Sequence, residues 1–376
     1  MMEPARVRDR LRLPKWGQRG TTGASIPLEI AFEGVSQDYG SLRALDRVTL
    51  TIAPGELLCL LGHSGCGKTT LLRVAAGVET PTEGRVLLDG REVSGPGAFE
   101  PPERRGIGLM FQDYALFPHL TNLRNVMFGL KGLPAREAEA TARRALDRVG
   151  LGAQADDHPH TLSGGEQQRV ALARSVAPRP GVLLMDEPFS NLDRRLRDAV
   201  RDETVAILRE AGATTVVVTH DPEEAMRIAD RIVLMRSGRI IQAGTAEELY
   251  RRPADLFAAR FLCDFNEIEG VCRGGQVSTP VGIFPAPRLL EGEGAVVCVR
   301  SQGVRLKPPG FCLPGRVRSR RFLGEVDLVH VAVQGLDRPL QARVREGFGA
   351  RLGEDVGVDI DSREVLVFSS AQAAFS

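Results

Sequence analysis

Gly62-His63-Ser64-Gly65-Cys66-Gly67-Lys68-Thr69 is the stretch on which the fold of this chain turns. It has the form G-x-x-x-x-G-K-T, whose glycines let successive backbone N–H groups point inward and cradle phosphate oxygens. Lys68 is placed to reach the β- and γ-phosphates of a nucleoside triphosphate, and the Thr69 hydroxyl to hold Mg²⁺. On the N-terminal side lies Leu57-Leu58-Cys59-Leu60-Leu61, a short apolar run suited to a buried parallel strand. On the other side Lys68 to Ala76, Thr70 included, has helical composition, and Gly77 stands where a C-cap belongs. Strand, glycine loop and helix N-terminus together make an anion site. Only four of the 49 basic residues are lysine (Lys15, Lys68, Lys131 and Lys307). A lysine in the one slot that requires a compact ammonium is therefore specific. A plain glycine-rich turn before a helix is the alternative for this loop taken alone.

The chain has 376 residues, enough for two or three domains and a sizeable core. A formal net charge of +1 gives no electrostatic footprint for nucleic acid, and none is expected as a partner. No run of about 18 apolar residues occurs that would span a bilayer. The six cysteines (Cys59, Cys66, Cys263, Cys272, Cys298 and Cys312) form no C-x-x-C and no zinc spacing with histidine. A reduced, cytoplasmic compartment follows as the expectation. Cys66, inside the loop, predicts a thiol whose alkylation blocks nucleotide binding. Residues 1–25 are rich in arginine, contain Pro14, Gly17, Gly20 and Gly23, and lack the apolar segment of a signal peptide. They are expected to be a disordered tail, in part a misassigned start.

Residues 26–245 alternate apolar runs with helical segments, as in an α/β domain. Ala31–Gln37 and Val48–Ile52 read as strands of an antiparallel edge. Val182–Met185 and Thr215–Thr219 read as central parallel strands. Ala135–Val149 reads as an amphipathic helix, and Gly95–Pro102 as a loop. Pro222–Ala229 reads as a helix capped by Asp221, with Pro at N1 and Glu223 and Glu224 in the first turn. Residues 246–263 are expected to be a helical connector. From residue 264 to 376 short β-like runs follow turns at close spacing, which predicts a separate small β-barrel of the oligomer-binding type.

Two further motifs carry chemistry. Val182-Leu183-Leu184-Met185-Asp186-Glu187 is an apolar strand ending in two acids, and carboxylates at the C-terminal end of a parallel strand face the ligand crevice. Asp186 suits Mg²⁺, and Glu187 suits a general base for an attacking water. Leu162-Ser163-Gly164-Gly165-Glu166-Gln167-Gln168-Arg169 contains a capping box, Ser163-x-x-Glu166, at the start of a helix running to Ala177. Its bare glycines at a helix N-terminus also make an anion site.

In this order the three motifs resemble the signature set of ABC-type ATPases. The resemblance covers about residues 26–370. It implies a P-loop NTPase (ABC ATPase) α/β domain followed by a small all-β, OB-like domain of the TOBE type. It implies ATP and Mg²⁺, and a head-to-tail homodimer in which Ser163, Gly164 and Gly165 complete the opposite subunit's site. It assigns Gln112 to the Q-loop, a Mg²⁺- and water-sensing position, and His220 to the γ-phosphate switch. It assigns Asp193 to the D-loop at the dimer interface and Tyr39 to stacking on adenine. His63 and Asn191 depart from common family residues without removing a ligand group. Arg300-Ser301-Gln302 stands where Arg-Pro-Glu is frequent.

Phe111 to Thr121 and the C-terminal β-domain are similar to importer ATPases serving polyamines, sulfate, molybdate, iron and sugars. Glu100–Gly106 and Cys263–Glu267 are most similar to ferric-iron importers. The implied partners are membrane-embedded permease subunits and, indirectly, a periplasmic solute-binding protein. The implied location is peripheral, on the cytoplasmic face of the inner membrane. A soluble ABC protein acting on ribosomes or DNA is disfavoured, because the chain has neither a second nucleotide domain nor a coiled-coil insertion. An exporter is disfavoured by the lack of a fused membrane domain and by the C-terminal β-domain. Three Tyr and one Trp are too few for a nucleic-acid stacking ladder.

Overall fold

The computed structural model describes residues 25–190, 192, 194–310, 312–345 and 351–371. The expected N-terminal tail, Asn191 and Asp193 lie outside the described residues. The chain divides into two compact units, one ending at Ala246 and the other beginning at Glu247.

The first unit carries two sheets. Strands β1 (Ile30–Tyr39), β2 (Leu42–Ile52), β4 (Glu83–Leu88) and β5 (Arg91–Ser94) form an antiparallel sheet in the order β2-β1-β4-β5. Strands β3 (Leu57–Leu61), β6 (Ile107–Met110), β7 (Val182–Asp186), β8 (Thr214–Thr219), β9 (Arg231–Arg236) and β10 (Arg239–Gly244) form the second, ordered β10-β9-β3-β8-β7-β6. Its strands from β9 to β6 pair in parallel. β3, β8 and β7 up to its terminal Asp186 are unbroken apolar or threonine runs because both faces of the sheet are covered.

Helix α1 (Lys68–Ala76) joins the two sheets into one apolar cluster, in which Leu71, Leu72 and Val74 meet Ile30 and Leu50 of one sheet and Leu60, Val182 and Val216 of the other. Helices α2 (Asn122–Met127), α3 (Ala135–Arg148) and α4 (Gly164–Val176) pack on one another. In α3, Ala138, Ala142, Ala145 and Leu146 are the buried residues, one helical stripe. Helices α5 (Arg194–Ala211) and α6 (Pro222–Ile228) complete the unit.

The second unit opens with α7 (Ala246–Arg251) and α8 (Leu256–Leu262). The expected connector is thus broken at Pro253, and Asp255 caps the second helix through Ala258 N at 2.7 Å. Two five-stranded antiparallel sheets follow. β11 (Phe265–Arg273), β12 (Gln276–Thr279), β13 (Gly282–Pro285), β14 (Gly294–Arg300) and β20 (Val365–Ser369) are ordered β13-β12-β11-β14-β20. β15 (Val304–Lys307), β16 (Leu313–Phe322), β17 (Val326–Val333), β18 (Leu340–Arg345) and β19 (Asp355–Ile360) are ordered β15-β19-β16-β17-β18. Both sheets bury side chains in one cluster that includes Val297, Val299, Val329, Val331 and Val358. Asn266 links the sheets by mimicking a peptide: its amide donates to Gln341 O at 2.9 Å and Val299 O at 3.2 Å, while its oxygen accepts from Gln341 N at 2.6 Å. The unit is thus two antiparallel sheets around a common core, in keeping with the small all-β domain expected.

Candidate active site

Strand register brings the sequence-selected residues to one edge. Leu61 is level with Thr219, Met110 with Met185, and Asp186 with Val218. Gly62, Glu187 and His220 directly follow their parallel strands and Gln112 follows β6 by two residues, so all four emerge at the C-terminal edge, where open α/β sheets bind ligands.

The loop from Gly62 to Thr69 wraps the start of α1. Gly67 is its N-cap with φ 104°, and a Cβ there would lie 2.4 Å from Ala44 O. Any side chain at this position would collide with the backbone of β2 at Ala44, which is why the helix is capped by a glycine. Lys68 is buried, and its ammonium donates to Gly62 O at 2.7 Å and His63 O at 2.8 Å. The lysine thus closes the loop from inside. His63, Ser64 and Gly65 are exposed on the loop, and Thr69 and Thr70 are half-buried. Cys66 is buried beneath it, and burial pushes its thiol above the ordinary value although Lys68 pulls it down. A neutral, shielded thiol reacts slowly, so the expected alkylation sensitivity does not follow from this geometry.

Thr69 Oγ1 donates to Asp186 Oδ1 at 3.1 Å. Burial raises the Asp186 carboxyl, Thr69 opposes this, and the charge of Glu187 raises it further. Two adjacent acids in a partly buried crevice, with a hydroxyl beside them, are hard oxygen donors that gain from a divalent cation. This donor set fits Mg²⁺, which retains several of its own waters.

Glu187 has φ 43°, a left-handed conformation rare outside glycine. The strained backbone is held by its N–H donating to Val218 O at 3.1 Å and by Ser190 Oγ donating to its carbonyl at 2.9 Å. Such outliers cost about 1–3 kcal/mol and persist where surroundings impose them. The side chain is largely buried, with Oε1 lying 3.2 Å from His220 Nδ1. Gln112 is exposed beyond β6. Tyr39 ends β1 with its ring exposed, and its hydroxyl donates to Glu79, beyond α1. Burial and the Glu79 bond raise its pKa, and the Thr70 side chain bonds the same hydroxyl.

Ser163, Gly164 and Gly165 start α4, a different helix from that of the phosphate loop. Ser163 caps it, with both Ser163 N and Oγ donating to Glu166 Oε2 at 2.8 and 2.7 Å. These bonds hold the Glu166 carboxyl below its usual range. One chain therefore presents two separate helix N-termini able to take an anion.

Two residues missed by the sequence reading support the site. Arg105 is buried and donates to Glu100 O, Val74 O, Ala75 O and Val93 O, capping the C-terminus of α1. Glu224, read as a first-turn acid, is 7% exposed. Its signal is weak but present: Glu224, Ala225 and Ile228 form the buried stripe of α6.

A family model described as ABC transporter matches residues 45–190. The Fe(3+) ions import ATP-binding protein FbpC of Streptomyces coelicolor is 42% identical over 347 residues, covering 92% of this chain and 98% of the relative. The sulfate/thiosulfate import ATP-binding protein CysA 2 of Chromobacterium violaceum is 44% identical over 316 residues, covering 82% and 85%. The putrescine transport ATP-binding protein PotG of Escherichia coli is 40% identical over 334 residues, covering 84% and 87%. Among solved structures, the dimeric ATP-binding cassette MJ0796 in a post-hydrolysis state with ADP and Pi aligns with TM-score 0.52 at 32% identity, over 58% of this chain and 98% of that one.

Proposed function

This chain belongs to the ATP-binding subunits of ABC transporters and is an ATPase of the importer type, and from that premise we propose that it energises uptake of ferric iron from the cytoplasmic face of the cell membrane. The observation that carries the catalytic part is the convergence at one sheet edge of the phosphate loop, the Thr69–Asp186 pair and the Glu187–His220 pair.

In this reading Lys68 leaves the loop carbonyls for the triphosphate, and the N–H groups of residues 62–70 bind the phosphate oxygens. Tyr39 supports the adenine ring. Thr69, Asp186 and Gln112 would hold Mg²⁺, which would neutralise phosphate charge. Glu187 takes the proton of the attacking water, and His220 holds both Glu187 and the γ-phosphate in register. Ser163, Gly164 and Gly165 of a second copy complete the site across a homodimer, together with Asp193. The dimeric MJ0796 structure supports such a sandwich. Closure then moves a membrane permease that contacts the Gln112–Asn125 region, and a periplasmic binding protein delivers the solute. Among the described residues no helix is long and apolar enough to cross a membrane. That fits a peripheral subunit.

Iron as solute rests on the names of relatives such as the Streptomyces coelicolor protein. A sulfate or polyamine importer is the second reading, favoured by the comparable identity of the Chromobacterium and Escherichia relatives. Two experiments test the parts separately. Glu187→Gln should bind ATP, fail to turn it over and accumulate as an ATP-bound dimer in light scattering; near-normal turnover refutes the catalytic assignment. Deleting the chain should abolish radioactive ferric-iron uptake and spare sulfate and putrescine uptake; unchanged iron uptake refutes the solute.

A further inference from the structure

Among the described residues His220 has one side-chain anchor, the 3.2 Å contact to Glu187, and its ring is 55% exposed. Its position must therefore come from the backbone that carries it. That backbone is pinned on both sides. Asp221 N donates to Thr219 Oγ1 at 3.1 Å, and Asp221 Oδ1 accepts from Glu223 N and Glu224 N at 2.9 and 3.2 Å. The Thr219 hydroxyl also lies close enough to the Glu224 carboxyl to favour its ionised form. Glu224 shares with Glu187, Ser190, Arg197, Thr219 and His220 the wall of a cavity of about 60 Å³. That is room enough for water to bridge its polar lining.

Behind Glu224 stands α5. Arg197 and Arg201 lie within electrostatic reach of its carboxyl, and Arg201 is itself buried. Arg197 also donates to Leu192 O at 3.2 Å, and Arg227 of α6 pairs with Asp198 of α5 at 3.5 Å. Cys59 of β3 faces both Glu224 and Asp230. A buried carboxyl between a switch loop and two arginines of the preceding helix has no part in the chemistry assigned above.

We propose that Glu224 is a positioning residue, whose carboxylate ties the Thr219–Asp221 backbone to Arg197 and Arg201 and so fixes the His220–Glu187 pair. The inference rests on the reading that His220 and Glu187 serve hydrolysis. In the ionised state the carboxylate is favoured by the Thr219 hydroxyl and by the charges of Arg197 and Arg201; protonation removes both attractions. Burial, and then the charge of Asp221, raise this carboxyl to about 7, with Thr219, Arg197 and Arg201 opposing. The tie is consequently titrated near neutrality.

The test is steady-state ATPase kinetics of the full chain from mildly acidic to mildly alkaline pH, for wild type, Glu224→Gln, His220→Ala and the double variant. Glutamine keeps the volume and one acceptor while removing the charge, so folding is spared; circular dichroism checks this. Wild-type kcat should rise through a limb centred near pH 7. Glu224→Gln should lose that limb and run about tenfold slower above neutrality, with KM for ATP within about twofold. In the His220→Ala background, Glu224→Gln should change kcat by less than about twofold. A Glu224→Gln profile that superimposes on wild type overturns the proposal, as does an equal effect in both backgrounds. Full turnover in His220→Ala alone would instead overturn the assignment of His220, a distinct result.

Discussion

Replacing Arg105 by methionine should destabilise the first unit by about 3 kcal/mol, a figure that follows from counting the carbonyls its guanidinium serves. Nε donates to Glu100 O at 2.7 Å, Nη1 to Val74 O at 3.1 Å and Ala75 O at 2.9 Å, and Nη2 to Val93 O at 2.9 Å. Two of these acceptors keep another donor: Gly77 N serves Val74 O at 3.2 Å, and Glu100 N serves Val93 O at 2.8 Å. Among the described residues no other donor serves Glu100 O or Ala75 O, the first half-buried. Each orphan costs about 1–3 kcal/mol, less where water reaches it. Methionine fills most of the volume, and the cost of burying a guanidinium, visible in the lowered Arg105 pKa that burial causes, is recovered. The balance is about 3 kcal/mol, or roughly 6–12 °C in unfolding midpoint for a domain of this size. Differential scanning calorimetry of the full chain reads this directly. Lysine should fall between, because a point ammonium cannot span four carbonyls. The fit leaves no slack: a Cβ on Gly77, at φ 78°, would lie 2.5 Å from the guanidinium Cζ. A midpoint for Arg105→Met within about 2 °C of wild type would refute the capping role.

Lys68→Ala removes a buried ammonium held by the Gly62 and His63 carbonyls and the Cys66 sulfur of the loop, and should weaken ATP binding about 10- to 100-fold by calorimetry, for the loss of one charge-assisted contact. Undiminished affinity would count against the loop as the triphosphate site. Ser163→Ala breaks the capping box of α4, costing about 1 kcal/mol of stability. It should cut ATPase activity while leaving ATP affinity of the monomer intact, since the serine serves the other copy; a loss of monomer affinity contradicts the sandwich. Glu224→Gln tests linkage through urea midpoints. The folded carboxyl titrates near 7 against 4.5 when unfolded, so between those values only the folded state holds the proton and wild-type stability falls as pH rises, by roughly 3 kcal/mol in all. Glutamine should flatten that decline, and a wild-type–variant difference independent of pH would sink it.

What was legible in the sequence was whatever a local rule decides. The α1 helix runs from Lys68 to its left-handed cap at Gly77, and α6 starts on Asp221-Pro222, because caps and phosphate loops are written in a few adjacent residues. β3, β7 and β8 could be read because strands covered on both faces have no polar alternation to confuse with loop. β13 and β15 escaped for the opposite reason. Gly282-Ile283-Phe284-Pro285 and Val304-Arg305-Leu306-Lys307 are too short to show a period, and their strand character comes from their neighbours β12 and β19. The break between α7 and α8 is written in Pro253, which cannot continue a helix, and in Asp255, which caps a new one, although the segment's helical composition reads as continuous. Arg105 could not be read at all. Its role depends on α1, β5 and the Glu100 turn converging on one side chain, and nothing in Arg104-Arg105 tells which of the two is exposed and which is 1% exposed.

Glu224 sharpens the distinction between residues that hold a fold and residues that hold a site. A carboxyl kept only for stability would be a poor choice here. Between the unfolded and folded pKa values its ionisation opposes folding, and a neutral isostere relieves that cost. A structural glutamate should therefore be replaceable by glutamine with equal or better stability and no other consequence. The geometry gives it a second consequence, because the same carboxyl lies close to the Thr219 hydroxyl next to His220 and faces Arg197 of the helix that follows the Leu192 turn. Gain of stability and loss of turnover in one substitution are opposite signs from one cause, the charge. Only a group that strains the fold to place the switch loop produces both, so measuring the two on the same preparation separates placement from packing more sharply than either alone.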